Sequence, residues 1–362
     1  MAHRGQRFRN RKVGRLFMGI GLAAGLTTLL YSSWRPETVR SDTEPVVLVK
    51  EPRRCWVFNH LNKAGGSTIK YMLQPWIDEQ KNMTVGLYDN RDWVKGEKFA
   101  RKFLKEEHTL TWGAYTEGLR PYGGGDECKW FTIFRHPIPR LVSAYYYCKK
   151  SPQDGLCASV VLRANETDIY TFGEHWGNFG LRQFSLAYAL PEDMIAAEKE
   201  SQNRCMPQEG RKSCPSWYRL KLYLEGLNRK AEEQAKASGG SPLLRSSEAT
   251  TMKDGAMLEL IQPVTELLNT KYAAVGILER WDASIRLFQH VLDLPDYDWA
   301  KGSRKMGKKN GNGTFKKEEN AALAKAWTDP KLKNFMLLDL VLYDHAVSVH
   351  NDQIERYGLA AA

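Results

Sequence analysis

"FNHLNKAGGSTIKYML", residues Phe58–Leu73, joins an apolar run to a helical pattern through a lysine, two glycines and two hydroxyls. A strand that ends in a glycine-rich turn and opens a helix binds anions, because the first-turn N–H groups have no partner within the helix. Gly65 and Gly66 allow close backbone approach, and Ser67 and Thr68 add hydroxyl donors. Lys63 precedes the glycines, so the stretch differs from the G-x-x-x-x-G-K-[ST] pattern of nucleoside triphosphatases. That order sets the ammonium beside the terminal group of a ligand rather than under a β-phosphate. Pro75 lies inside the following periodic segment and predicts a short or kinked helix.

Outward from this stretch, strand-like runs recur at Trp56–Asn59, Leu110–Gly113, Lys129–Phe134 and Ala273–Ile277, with helical patterns between them. Strands alternating with helices predict an α/β domain with a central parallel sheet flanked by helices. The run "KWFTIFRHPIPRLVSAYYY" (Lys129–Tyr147) delivers Arg135 at the end of an apolar strand, with prolines suited to a helix start and Ser143 eight residues beyond. An arginine fork at a strand terminus plus a serine on the next helix makes a second phosphate site. Residues 191–250 read as a charged helical excursion ending in an exposed loop, and residues 301–317 hold seven basic residues and no acid. The segment from Pro330 to Tyr357 reads as one long helix with an apolar, core-facing stripe.

The N-terminus carries other information. Of the net charge of +11, six units come from Arg4, Arg7, Arg9, Arg11, Lys12 and Arg15, which leaves +5 for the rest and a poor case for nucleic acid. Leu16 to Trp34 then runs nineteen residues without a charge, roughly 28 Å as a helix and enough to cross a bilayer core. The basic flank predicts a single-pass type II protein: cytoplasmic tail 1–15, uncleaved signal anchor 16–34, stem 35–52 and lumenal domain 53–358. Six cysteines suit an oxidising lumen. Cys148 with Cys157, and Cys205 with Cys214, are spaced to close short loops. Cys55 and Cys128 would pair if their strands are neighbours and otherwise stand as two thiols. The sequons at Asn82, Asn165 and Asn312 agree with export.

Taken together, the two phosphate-site stretches resemble the paired motifs of Golgi carbohydrate sulfotransferases, the group acting on heparan, dermatan and chondroitin chains. The first motif here is Asn62-Lys63-Ala64-Gly65-Gly66-Ser67-Thr68, with Asn62 where proline is usual. The second is Arg135-His136-Pro137 with Ser143-Ala144-Tyr145. Asn178–Tyr188 looks like the family's acceptor-side segment, and Tyr272–Phe288 like its Val-Gly-x-x-Glu-Arg-[Phe/Trp]-Asp segment. The basic stretch 301–317 stands where that family closes a segment over the nucleotide.

The resemblance implies a P-loop-like sulfotransferase fold in the Golgi membrane, using 3′-phosphoadenosine-5′-phosphosulfate (PAPS) without a metal. The acceptor would be a hydroxyl of an acidic glycan. Lys63 would meet the bridging oxygen of the donor; Lys63, Ala64, Gly65, Gly66, Ser67 and Thr68 would hold its 5′ side, and Arg135 and Ser143 its 3′-phosphate. Where many members carry a histidine base this chain has Ala114, so Glu117 becomes the first candidate base, followed by His108 and His175. A protein tyrosine sulfotransferase and a non-catalytic nucleotide- or glycan-binding homologue are the rival readings.

Overall fold

The computed structural model describes residues 54–79, 83–88, 95–104, 108–123, 125, 127–152, 154, 157, 167–204, 222, 223, 225, 226, 229, 233, 255–293 and 316–359, with backbone alone at 202–204 and 255–260. The expected tail, anchor and stem, the three sequons, Cys205 with Cys214, and the basic stretch through residue 315 lie outside the described residues. No described helix is long and apolar enough to cross a membrane.

In chain order the elements are β1 (Cys55–Asn59), α1 (Gly66–Glu79), β2 (Thr84–Leu87), α2 (Gly96–Phe103) and β3 (Thr109–Gly113). A 3₁₀ turn (Thr116–Tyr122) leads to β4 (Lys129–Phe134), α3 (Pro137–Lys150), α4 (Ile169–Trp176), α5 (Phe179–Ser185) and α6 (Pro191–Arg204). Then come α7 (Gly255–Lys271), β5 (Tyr272–Ile277), α8 (Trp281–Val291), α9 (Lys316–Ala326), α10 (Pro330–Phe335) and α11 (Leu337–Arg356).

The five strands form one sheet in the order β2-β3-β1-β4-β5, with every neighbouring pair parallel. β1 is central and buried at all five positions, which explains why "CWVFN" is almost continuously apolar rather than alternating. α1 and α8 cover one face, where Ile69, Met72, Leu73 and Phe288 pack on Phe58 and Phe131. α3, α7 and α11 cover the other, where Ile138, Leu141, Leu268 and Leu342 join the cluster of Val57, Trp130 and Phe134. The chain therefore leaves β1 over one face and β4 over the opposite face. Right-handed crossovers require this when one connection runs toward β2 and the other toward β5. Their loops diverge, the arrangement that in open α/β sheets forms a ligand-binding crevice at the carboxyl ends of such strands.

A disulfide joins Cys55 to Cys128, with Cα atoms 4.6 Å apart, and ties the opposite ends of those strands together. A second joins Cys148 to Cys157. In a chain-entropy account, closing these loops contributes about 4.5 and about 2.5 kcal/mol respectively.

Three details differ from the sequence reading. β2 escaped it because the strand is a four-residue edge with a glycine in the middle. α1 is not short: it continues through Pro75 to Glu79. The carbonyl that loses its partner belongs to Tyr71, on the exposed side of the helix, where a missing helix bond costs little. The final helix is two helices, because Met336 leaves helical geometry (φ −108°, ψ 10°) and α11 starts afresh. Asn178 causes the restart: its Oδ1 accepts from Leu338 N at 3.0 Å and Asp339 N at 3.1 Å. This is a helix cap supplied from a distance of 160 residues.

Candidate anion-binding site

The loop between β1 and α1 alternates in hand. Lys63 (φ 65°) and Gly65 (φ 88°) lie in the left-handed region, and Ala64 and Gly66 do not. Successive N–H groups in such a backbone point into one concavity, a nest for an anion. The helix begins with Thr68 N donating to Gly65 O at 2.9 Å, so the N–H groups of Gly65, Gly66 and Ser67 precede its first bond. They sit at the positive end of a 14-residue helix. Gly66 is required by packing, because a Cβ there would lie 1.8 Å from His60 Cδ2. That imidazole fills the space beneath the loop. Burial first, then Lys70 and Lys63, push its pKa down to about 3, so it stays neutral.

Arg135 follows β4 and reaches the loop after β1, its Nη1 donating to Lys63 O at 3.2 Å. The two stretches singled out in the sequence thus meet at the carboxyl ends of neighbouring strands. Their cations are short of compensation. Burial and then Arg135 lower the Lys63 pKa to about 8, against the weaker pull of Glu319 and Asp154. Burial likewise lowers the Arg135 guanidinium below its ordinary value, against Glu279 and Glu319. Two desolvated cations beside a helix N-terminus form a site that a bound anion would relieve.

Compared with known families and with curated proteins, the chain gives no match. Its own geometry therefore carries the argument.

Ser143 is half-buried on α3, one turn before Tyr147, and residues four apart share a helix face. The Tyr147 ring lies under Lys63, 3.8 Å from Nζ to the centroid, so this face of α3 looks toward the loop. Ser67 is exposed and Thr68 half-buried at the mouth of α1.

The three candidate bases stand on three different segments. Glu117 is completely buried. Its Oε2 accepts from Arg120 Nε at 2.6 Å, and its Oε1 accepts from the Tyr272 hydroxyl, which in turn accepts from Asn59 Nδ2 at 2.9 Å. Arg120 is stacked on Trp130, 3.6 Å from the ring centroid. The sequence could not show this network, because its members come from four separate elements. His108 stands at the start of β3, where its carbonyl accepts from Thr84 N at 2.9 Å. Lys63 follows the other end of β1, which pairs with β3 in parallel, so His108 lies at the opposite edge of the sheet. His175 lies in the last turn of α4, which packs on α3 and α10. Ala114 touches the segment expected to face the acceptor, its carbonyl accepting from Gln183 Nε2.

Glu279, after β5, was absent from the sequence reading as a site residue. Its Oε1 accepts from His136 N at 2.9 Å and its Oε2 from the Tyr343 hydroxyl at 3.1 Å, so it fixes the turn that carries Arg135. Tyr147 and Asp154 were also missed, although the four-residue step from Ser143 to Tyr147 was legible. Among the described residues no cluster of His, Cys, Asp or Glu is placed to hold a metal ion.

Proposed function

We propose that the protein is a sulfotransferase that moves the sulfuryl group of PAPS to a hydroxyl of an acidic glycan. One observation carries the reading: the Lys63 loop and Arg135 meet at the ends of adjacent central strands, where α1 and α3 diverge onto opposite faces. The strand order and the loop after the first strand support a P-loop-like sulfotransferase fold.

In this reading the 5′ side of the donor lies in the nest of Gly65, Gly66 and Ser67, and Arg135 and Ser143 take the 3′-phosphate. Sulfuryl transfer is an in-line displacement, so the protein mainly positions groups and stabilises charge. The sulfur–oxygen bond to the 5′-phosphate breaks, and its electron pair stays on the phosphate. A new bond forms between sulfur and the acceptor oxygen, whose proton leaves to a base. Lys63 and the helix N-terminus stabilise the charge that grows on the leaving phosphate.

Calorimetry with PAPS and with its 3′,5′-bisphosphate product, followed by labelled-sulfate transfer to heparan, chondroitin, dermatan and tyrosine peptides, tests the reading. Lys63→Ala should lower turnover more than donor affinity. Arg135→Ala should weaken binding by about 1.5–3 kcal/mol, and Ser143→Ala by less. Equal and small effects at all three positions would sink the site assignment. A binding protein without activity is the second reading, favoured by the enclosure of Glu117 beside Ala114. Nucleotide binding with no transfer to any acceptor would establish it.

A further inference from the structure

We propose that Tyr147 and Asp154 form a clamp that positions Lys63, with the Cys148–Cys157 loop as its mount. The proposal rests on the sulfotransferase reading for what Lys63 does, but its geometry is independent of that reading. The Lys63 ammonium lies over the Tyr147 ring, 3.8 Å from the centroid. The Tyr147 hydroxyl donates to Asp154 Oδ2 at 2.7 Å, which fixes the rotation of the ring. Asp154 is itself fixed: its N–H donates to Ser151 O at 2.9 Å, and its carbonyl accepts from Cys157 N at 2.8 Å. Ser151 N donates back to Tyr147 O at 2.8 Å, and the disulfide closes the loop.

The chemistry explains why such a mount is useful. A lysine has four rotatable bonds and loses much rotamer freedom when fixed. A carboxylate in direct contact would hold it, but would also occupy the N–H donors that the leaving phosphate needs. An aromatic face attracts the cation and leaves those donors free to turn toward an anion. Asp154 stays one residue removed, attached to the ring rather than to the ammonium. The other charges that act on Lys63 are Arg135, at the end of β4, and Glu319, on α9. Burial and the bond to Asp154 hold the Tyr147 phenol well above its ordinary pKa, so it remains a donor. Tyr147 and Asp154 are therefore positioning residues, acting through Lys63.

Two measurements on the full-length protein test this. The first is the pH dependence of Lys63 acetylation by trace acetic anhydride, read by mass spectrometry, which needs no activity. Asp154→Asn and Tyr147→Leu should each lower the apparent pKa of Lys63 from the wild-type value, and Tyr147→Phe, which keeps the ring, should change it less. An unchanged Lys63 titration in Asp154→Asn and Tyr147→Leu overturns the clamp. The second is a double-mutant cycle on sulfate transfer. Tyr147→Leu should lower kcat about tenfold or more and change the donor KM less than twofold. In a Lys63→Ala background it should do nothing further. An equal loss in both backgrounds would mean a general structural role, and the clamp would fall while the sulfotransferase reading stood. If the titration responds but wild-type protein transfers no sulfate, the clamp stands and the sulfotransferase reading fails.

Discussion

Glu117 and His60 show how one side chain's surroundings decide its work. Glu117 is enclosed with both oxygens engaged, and Arg120 opposite it is nearly buried. Glu117→Gln should therefore cost stability, about 3 kcal/mol in urea unfolding, because it removes the buried carboxylate charge that pairs with Arg120. A variant of normal stability whose turnover falls by a factor of about 10²–10⁴ would instead support Glu117 as the base. For His60 the sign follows from where the proton binds. Its folded pKa is about 3 against an ordinary 6.5, so over that range the unfolded chain binds more protons. Stability from this residue is present above pH 6.5 and is lost as pH falls toward 3. Replacing it with Gln should flatten the acid limb of a plot of urea midpoint against pH. An identical limb in wild type and His60→Gln would show that other groups govern acid unfolding.

Among the elements, the break before α11 is the clearest case of long-range control. Asn178 adopts a left-handed conformation (φ 52°) and at the same time caps a helix that begins 159 residues later. Asp339, in the first turn of that helix, accepts from Leu181 N at 2.8 Å and pairs with the buried Arg140 of α3. The α3, α5 and α11 segments are thereby locked together behind Arg135. Asn178→Gly keeps the backbone freedom but loses the cap, and should cost about 1 kcal/mol. Asn178→Ala loses both and should cost about 1 kcal/mol more. Thermal or urea unfolding of the pair measures the difference. Equal stability in Asn178→Gly and wild type would show that the cap contributes nothing.

For the whole molecule, the two disulfides fit the export expected from the N-terminal sequence. We propose insertion with the basic tail in the cytoplasm and the domain in the lumen, glycosylated at one or more of Asn82, Asn165 and Asn312. Protease protection and glycosidase digestion in sealed microsomes should show a protected, glycosylated domain. A domain digested without detergent and carrying no glycan would reject this orientation.

The α/β class, four of the five strands, the Lys63 loop and Arg135 were legible because they depend on local pattern: apolar runs, glycine placement and a strand-terminal cation. Those signals arise within a few residues, where backbone geometry and burial on both faces of a sheet constrain the choice of side chain. The adjacency of β1 and β4, the enclosure of Glu117, the cap from Asn178 and the stacking of Lys63 on Tyr147 were decided only in three dimensions. Each joins residues far apart in the chain. A hydrogen bond or ring contact of that kind leaves no periodicity at either end, so only the packed structure specifies which polar groups meet.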